Sequence, residues 1–346
     1  MEGRYQPRRP EDVYCKPSAA LIVTAEGEVE VFSKHELCRS NISNIPPFAS
    51  NNHNILLFKN SLILSGFMTV EGQRSYLVME NPRSGLLSNP WKIVNMVGND
   101  EQQFLIGYTY ASSMIYLGAE ASVQFDTEFL GKNRWSSRKV AKENKLVRTP
   151  LHACGCKMNQ HIYIVMGGMK EDKVTPTVFE IDLRRETTRM LEPLKQSRAF
   201  HSCAPLNSTH IMVSGGKASA DSHLGPILPN EVYHMSAETS REVSTTLVSP
   251  RYNHKLIVLE DTLFAIGGRL ANNSDATMVE EYDPASETWS QTTRLFSNYT
   301  GSIAVAEFPQ SSLDCVHGCD CGVSRPLRII GGSPTQVPLS KIKHNN

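Results

Sequence analysis

The chain has no long apolar run and no block of charge of one sign. Its apolar runs are shorter than a membrane-spanning helix, and Met1 to Pro10 contains no apolar core of the kind found in export signals. Lysine plus arginine equals aspartate plus glutamate at 35 each, and no basic cluster exceeds Arg8-Arg9. We therefore expect a cytoplasmic protein that binds neither nucleic acid nor a membrane.

Helical periodicity is also missing, and instead a glycine returns at the end of successive short apolar runs. The last glycines of these runs are Gly66, Gly118, Gly168, Gly216 and Gly268. They lie about 50 residues apart, an interval that predicts one repeated supersecondary unit. Short apolar runs with turn signals between them predict four antiparallel strands in each unit.

The later repeats carry further shared features. A lead segment precedes the first strand of each, and it reads Arg148-Thr149-Pro150-Leu151-His152, Arg198-Ala199-Phe200-His201 and Arg251-Tyr252-Asn253-His254. Tryptophan often opens the last strand, at Trp91, Trp135 and Trp289, where we expect it to pack between neighbouring sheets. Paired glycines in a four-stranded unit of this length resemble the Kelch motif, closely over 148–300 and in degenerate form before that.

The resemblance implies that each unit is one blade of a β-propeller. A twisted four-stranded sheet buries both faces only by packing against its neighbours around an axis. We expect an all-β, six-bladed Kelch-type propeller over 17–336, with tails at 1–16 and 337–346 and seven blades as the alternative. Strands from both termini would close the ring, and residues 20–24 and 328–332 compete for the second strand of the closing blade.

The eight cysteines are expected to be free thiols, since the predicted location is cytoplasmic. His152-x-Cys154-x-Cys156 has the spacing of a metal site, but we align it with His201-x-Cys203 and His254-x-Leu256 and interpret it as a buried apolar position. The Cys315–Cys321 insertion predicts a thiol-bearing loop, with zinc binding as the alternative. We expect no metal or cofactor. Four N-glycosylation sequons are interpreted as chance matches, at Asn41, Asn207, Asn272 and Asn298.

A propeller gathers equivalent loops from every blade at each mouth of its channel, and function tends to reside there. In Kelch proteins, the residues just after the lead arginine line that surface. We therefore predict the partner-binding residues to be Arg148, Arg198, Phe200, Arg251, Tyr252, Asn253 and Tyr299. The recurrence of arginine and histidine at equivalent positions also fits hydrogen bonding between blades.

The predicted function is a non-catalytic scaffold that binds a protein or peptide, with the arginines favouring an acidic or phosphorylated segment. Partners in this class include components of a ubiquitin ligase. A mutarotase-like or epimerase-like carbohydrate enzyme is the main alternative, because some Kelch-like propellers are enzymes. Binding to actin or the cytoskeleton is the third. No nucleophile–base arrangement or phosphate-binding glycine loop stands out in the sequence.

Overall fold

The structure is a computed structural model. It describes, with gaps between its early strands, 19–24, 27–33, 37–40, 54–58, 61–70, 73–82, 92–97, 102–108, 113–118 and 122–126. It further describes 150–295 (except 160, 183, 186, 220, 222–226 and 244), 303–308 and 319–320. Every regular element in these residues is a β-strand. In this part of the chain we find no helix long and apolar enough to cross a membrane.

The strands follow one another closely along the chain. The first ten are β1 Ala19–Thr24, β2 Val29–Ser33, β3 Leu37–Ser40, β4 Asn54–Phe58, β5 Ser61–Val70, β6 Gln73–Pro82, β7 Lys92–Val97, β8 Gln102–Tyr108, β9 Ser113–Gly118 and β10 Ser122–Asp126. The next ten are β11 Cys154–Lys157, β12 Ile162–Met166, β13 Met169–Lys170, β14 Lys173–Val174, β15 Val178–Asp182, β16 Thr187–Leu191, β17 Ser202–Pro205, β18 His210–Ser214, β19 Glu231–His234 and β20 Thr239–Glu242. The last are β21 Arg251–Tyr252, β22 Lys255–Leu259, β23 Thr262–Ile266, β24 Arg269–Leu270, β25 Met278–Asp283, β26 Thr288–Arg294, β27 Ile303–Phe308 and β28 Cys319–Asp320.

Antiparallel four-stranded sheets dominate the described part of the chain. Their strand orders are β4-β5-β6-β7, β11-β12-β15-β16, β17-β18-β19-β20 and β22-β23-β25-β26. A three-stranded sheet has the order β10-β9-β8, and a five-stranded sheet has the order β27-β1-β2-β3-β28. The first strands of successive sheets contact one another in the series β11, β17, β22, β27, β4 and β8. This succession of sheets is the arrangement of propeller blades.

The apolar runs that end in glycine form the second strand of each well-defined blade. In β12, β18 and β23 the last four residues are all buried, because neighbouring sheets cover both faces of the strand. The fourth strands β16, β20 and β26 lie at the periphery and contain mainly exposed and half-buried residues. Burial on both faces therefore explains why the second strands are continuous apolar runs.

The hydrophobic core lies between the blades. One cluster joins the β11–β16 sheet to the β17–β20 sheet, and a second joins the β17–β20 sheet to the β22–β26 sheet. Trp289 belongs to the second cluster and packs against Tyr282 with ring centroids 5.1 Å apart. The prediction that this tryptophan packs between sheets is confirmed, while Trp91 and Trp135 lie outside the described residues.

The terminal strands meet in one sheet. β1 pairs antiparallel with β27, with Ile22 opposite Val305, and β2 and β3 follow in order. Residues 20–24 thus occupy the second-strand position of this sheet, and the competing segment 328–332 lies outside the described residues. The all-β propeller architecture is confirmed. The number of blades, the closure of the ring and the boundaries of the two tails remain predictions.

Candidate functional site

The glycine pairs show which residues of the lead segments are structurally equivalent in three blades. A Cβ on Gly168, Gly216 or Gly268 would meet the carbonyl oxygen of Leu151, Ala199 or Tyr252 respectively, at 2.5–2.7 Å. These three residues are therefore equivalent, and each also pairs with the residue just after its glycine pair, at Met169, Lys217 and Arg269. Counting from them aligns His152 with Phe200 and Asn253.

This correspondence corrects the sequence alignment by one residue. Ala153, and not His152, occupies the position of His201 and His254, because Gly168 faces the Ala153 side chain where Gly216 and Gly268 face the histidines. Pro150 likewise stands where Arg198 and Arg251 stand. The sequence alignment matched the letters of arginine and histidine, whereas the backbone register of the sheets sets the true equivalence.

The three aligned residues form what we call the mouth ring: His152, Phe200 and Asn253. The Phe200 amide donates to the His152 carbonyl at 3.0 Å, and the Asn253 amide donates to the Phe200 carbonyl at 2.7 Å. All three residues have positive φ, at 54°, 60° and 56°. A left-handed backbone is costly for a bulky residue such as phenylalanine, and such conformations cluster at functional sites. One backbone chain of hydrogen bonds thus links three successive blades.

Side chains of the mouth ring combine aromatic and amide groups. The rings of His152 and Phe200 lie 4.2 Å apart between centroids, and Phe200 is 9% exposed. Burial lowers the pKa of His152, so its imidazole is neutral at pH 7. Asn253 is half-buried. Leu151 is 39% exposed beside the ring, which leaves apolar surface available at this end of the blades.

Tyr252 lies beneath the ring rather than on the surface. Its side chain is 1% exposed and packs with Phe200 in a small apolar cluster. The phenol donates to Asn273 Oδ1 at 2.7 Å, and the Lys217 ammonium lies 4.4 Å from the centroid of the ring. This cation–π contact and the hydrogen bond hold Tyr252 as a support for the mouth.

The lead arginines are fully buried, each with a glutamate of its own blade. Arg198 donates to Glu231 at 2.5 Å and to the carbonyls of Gly215 and Pro229 at 3.0 and 2.9 Å, with both charged side chains 0% exposed. Arg251 repeats the arrangement with Glu280 and the carbonyls of Gly267 and Met278. Burial lowers the pKa of Arg198, although Glu231 opposes the shift and the guanidinium stays charged.

Each glutamate also binds the chain that enters its blade. The backbone amides of Lys195 and Gln196 donate to Glu231 at 3.0 and 3.2 Å. Val248 and Ser249 donate to Glu280 in the same way, at 2.7 and 2.9 Å. The arginine–glutamate pairs therefore anchor the lead segments, and they carry no charge to the mouth.

These glutamates were not predicted, although the sequence contains a signal for them. Phe179 occupies the equivalent position in the β11–β16 blade, since it pairs with Val165 as Glu231 pairs with Val213 and Glu280 with Ala265. That blade also has Pro150 in place of the arginine. The arginine and the glutamate are thus present or absent together, as expected of a buried pair whose partners depend on each other.

The two buried histidines pack on the blade before their own. A Cβ on Gly167 would lie 2.5 Å from His201 Cε1, and one on Gly215 would lie 3.0 Å from His254 Cε1 and 2.2 Å from the Arg251 carbonyl. Only glycine leaves room for this approach, and both glycines have φ of +62°. Burial, with the adjacent lead arginine, lowers the pKa of His201 and of His254 well below the ordinary value.

The prediction of free thiols is wrong for Cys154 and Cys203, which form a disulfide bond. The register places them on the adjacent first strands β11 and β17, with Cα atoms 5.8 Å apart. Their sulfurs are therefore not available as metal ligands. Cys156 is a buried free thiol whose pKa burial raises to about 12. The Cys315–Cys321 insertion lies outside the described residues, apart from the backbone of β28.

Of the seven predicted partner-binding residues, Arg148 and Tyr299 lie outside the described residues. Phe200 and Asn253 come together in the mouth ring, while Arg198, Arg251 and Tyr252 lie beneath it. His152 is the residue that the sequence analysis left out of the site.

Comparison with known families agrees with this geometry. The family model for the Kelch motif matches residues 250–295, which span the lead segment and four strands of the β22–β26 blade. A comparison with curated proteins found no match. The matched blade, its repetition along the chain and the propeller-like succession of sheets lead to one conclusion. This chain is a Kelch-repeat β-propeller protein.

Proposed function

We propose that the protein is a non-catalytic interaction module that binds a segment of another protein at the mouth ring. Kelch propellers are commonly protein-interaction modules. The observation that carries the proposal is the chain of backbone hydrogen bonds through His152, Phe200 and Asn253, because it fixes side chains from three blades on one rigid support.

The side chains at the mouth favour a neutral segment of the partner. The adjacent rings of His152 and Phe200, tilted by 33° to each other, offer an apolar contact, and the Asn253 amide can both donate to and accept from a peptide backbone. An acidic or phosphorylated partner was expected because of the lead arginines. Since Arg198 and Arg251 are neutralised by Glu231 and Glu280 inside their blades, that preference loses its physical basis in these two blades.

The non-catalytic part of the proposal rests on the same two ion pairs. A mutarotase-like reaction would need acidic and basic side chains that converge at the mouth. Glu231 and Glu280 are both 0% exposed, and each is held by a guanidinium and two backbone amides. Both therefore act as structural anions.

The test removes the mouth side chains without straining the backbone. Asparagine and glycine tolerate positive φ, so the double variant His152→Asn/Asn253→Gly keeps the conformation of the ring. Partners that the immobilised wild-type protein captures from native cell extract are identified by mass spectrometry, and their affinity for the purified chain is then measured. We expect the double variant to bind at least about tenfold more weakly with an unchanged melting temperature.

A matched control lies at the opposite end of the blades. Glu260 is exposed with φ of 48° in the β22–β23 turn, so Glu260→Gly changes an equivalent backbone conformation away from the mouth. This variant is expected to bind like the wild type. Equal affinity of the double variant and the wild type would show that the mouth ring is not the binding site. Actin filaments and ubiquitin-ligase components belong in the same assay as named candidate partners.

A further inference from the structure

The disulfide bond bears on where the protein matures. Cys154 and Cys203 are 6% and 5% exposed and lie in the hydrophobic cluster between the β11–β16 and β17–β20 blades. The bond joins residues 49 apart in sequence and links two blades covalently. Structural disulfides form and persist in oxidising compartments and are rare in the reducing cytosol. The bond therefore argues against the cytoplasmic location predicted from the sequence.

Two sequons occur on exposed turns at opposite ends of the blades. Asn207 is exposed in the turn between β17 and β18, and Asn272 is exposed in the turn that follows β24. Each is followed two positions later by a hydroxyl residue, Thr209 or Ser274, as N-linked glycosylation requires. Both acceptor side chains are thus accessible in the folded protein.

The local hydrogen bonds suit an attached sugar at both sites. Asn207 Oδ1 accepts from the Thr209 amide and hydroxyl at 2.9 and 3.0 Å. Asn272 Oδ1 accepts from the Ser274 amide and hydroxyl at 3.0 and 2.7 Å. These bonds use the amide oxygen, so a sugar on Nδ2 leaves them intact. Asn272 also borders an open depression of about 470 Å³, which leaves room beside its side chain.

We propose that the protein matures in an oxidising secretory compartment, where it acquires the Cys154–Cys203 disulfide and N-linked glycans at Asn207 and Asn272. The two thiols lose two protons and two electrons to a disulfide-bearing oxidoreductase, whose own disulfide is reduced to two thiols. At each asparagine, Nδ2 forms a bond to the anomeric carbon of an oligosaccharide carried on a lipid pyrophosphate. The lipid pyrophosphate leaves, and Nδ2 loses one proton.

The test uses the full chain isolated from its native cells. Free thiols are blocked with an alkylating reagent during lysis, and the protein is digested without reductant to find the peptide pair that contains Cys154 and Cys203. A second sample is treated with peptide N-glycosidase in heavy-oxygen water, which converts each glycosylated asparagine into a labelled aspartate. We expect the linked peptides and labelled aspartate at positions 207 and 272.

Variants expressed in the same cells assign each glycan. Treatment with the glycosidase should increase the electrophoretic mobility of the wild type in one step for each glycan, and Asn207→Gln and Asn272→Gln should each abolish one of these steps. Asn159→Gln is the matched control, because Asn159 is exposed and accepts the same turn hydrogen bonds but is not followed by a sequon hydroxyl. Unlabelled asparagine at both positions overturns the glycosylation sites, even if the disulfide is found. Alkylated Cys154 and Cys203 overturn the proposed oxidation, and both results together restore the cytoplasmic prediction.

Discussion

The buried ion pair Arg198–Glu231 gives the sharpest stability prediction. In Glu231→Gln the side chain keeps its shape, but the Arg198 guanidinium remains buried without a countercharge. Glu231 accepts from Arg198 and Gln196 with one oxygen and from Lys195 with the other. The new amide group of glutamine would therefore direct a donor at a backbone N–H, which adds an unsatisfied contact to the loss of charge.

Breaking one partner of a buried pair costs about 3–5 kcal/mol, and we expect the Glu231→Gln variant to lose unfolding free energy in this range. Arg198→Met/Glu231→Gln removes both charges, so its loss should be smaller than the sum of the two single losses by about 2 kcal/mol or more. The β11–β16 blade shows that this fold tolerates the joint absence of the pair, since Pro150 and Phe179 occupy the two positions there.

Urea unfolding at pH 7, followed by tryptophan fluorescence, measures the stabilities, and hydrogen exchange shows whether the loss is local to β17–β20. The exposed pair Arg241–Glu287 provides the control, because the same type of bond at 2.5 Å is open to water there. Glu287→Gln should leave the midpoint nearly unchanged. If Glu231→Gln unfolds at the same urea concentration as Glu287→Gln, the assigned role of the buried charge is wrong.

Three further predictions concern the contacts between blades. Burial holds the pKa values of His201 and His254 well below 6.5, so the unfolded chain binds more protons than the folded protein, and stability is lost as pH falls below about 6.5 by up to about 1.4 kcal/mol per pH unit for each histidine. His254→Phe should lower the slope of stability against pH in urea titrations between about pH 5 and 7 by the contribution of one histidine, and an unchanged slope would contradict the assignment. Gly215→Ala should destabilise the protein by more than the about 1–3 kcal/mol that a left-handed backbone costs a non-glycine residue, because its Cβ would meet the Arg251 carbonyl at 2.2 Å, and a melting temperature equal to that of the wild type would refute the contact. The Cys154–Cys203 bond joins residues 49 apart, and its loss should cost about 4 kcal/mol because the unfolded chain regains the entropy of an open loop. A reductant should therefore lower the urea midpoint of the wild type but not that of Cys203→Ser. An equal response of both proteins would oppose the prediction.

Much of the fold was accessible from the sequence because its signals are local. Leu263-Phe264-Ala265-Ile266-Gly267-Gly268 predicts a buried strand with a tight turn after it, and the structure places β23 there. Ala20 to Thr24 followed by Val29 to Phe32 predicts two terminal strands, and both are present. The formation of strands and turns depends on residues that are neighbours in the chain, so the residue pattern is sufficient to predict these elements.

The candidate site was harder to predict because it depends on neighbouring blades. Arg198 and Phe200 are two residues apart and were both assigned to the surface, but one is bound to Glu231 within its blade and the other joins the mouth ring. The one-residue shift of His152 relative to His201 is invisible in the sequence, since the register of the hydrogen bonds to β12 and β18 decides it.

By itself, the sequence determined a repeating all-β chain of Kelch type, because glycine spacing and apolar runs act within each unit. Only the tertiary structure decided which side chains face the mouth, which carboxylates neutralise the lead arginines and which thiols meet. These outcomes depend on distances between residues such as Cys154 and Cys203, and such distances exist only once adjacent blades have packed together.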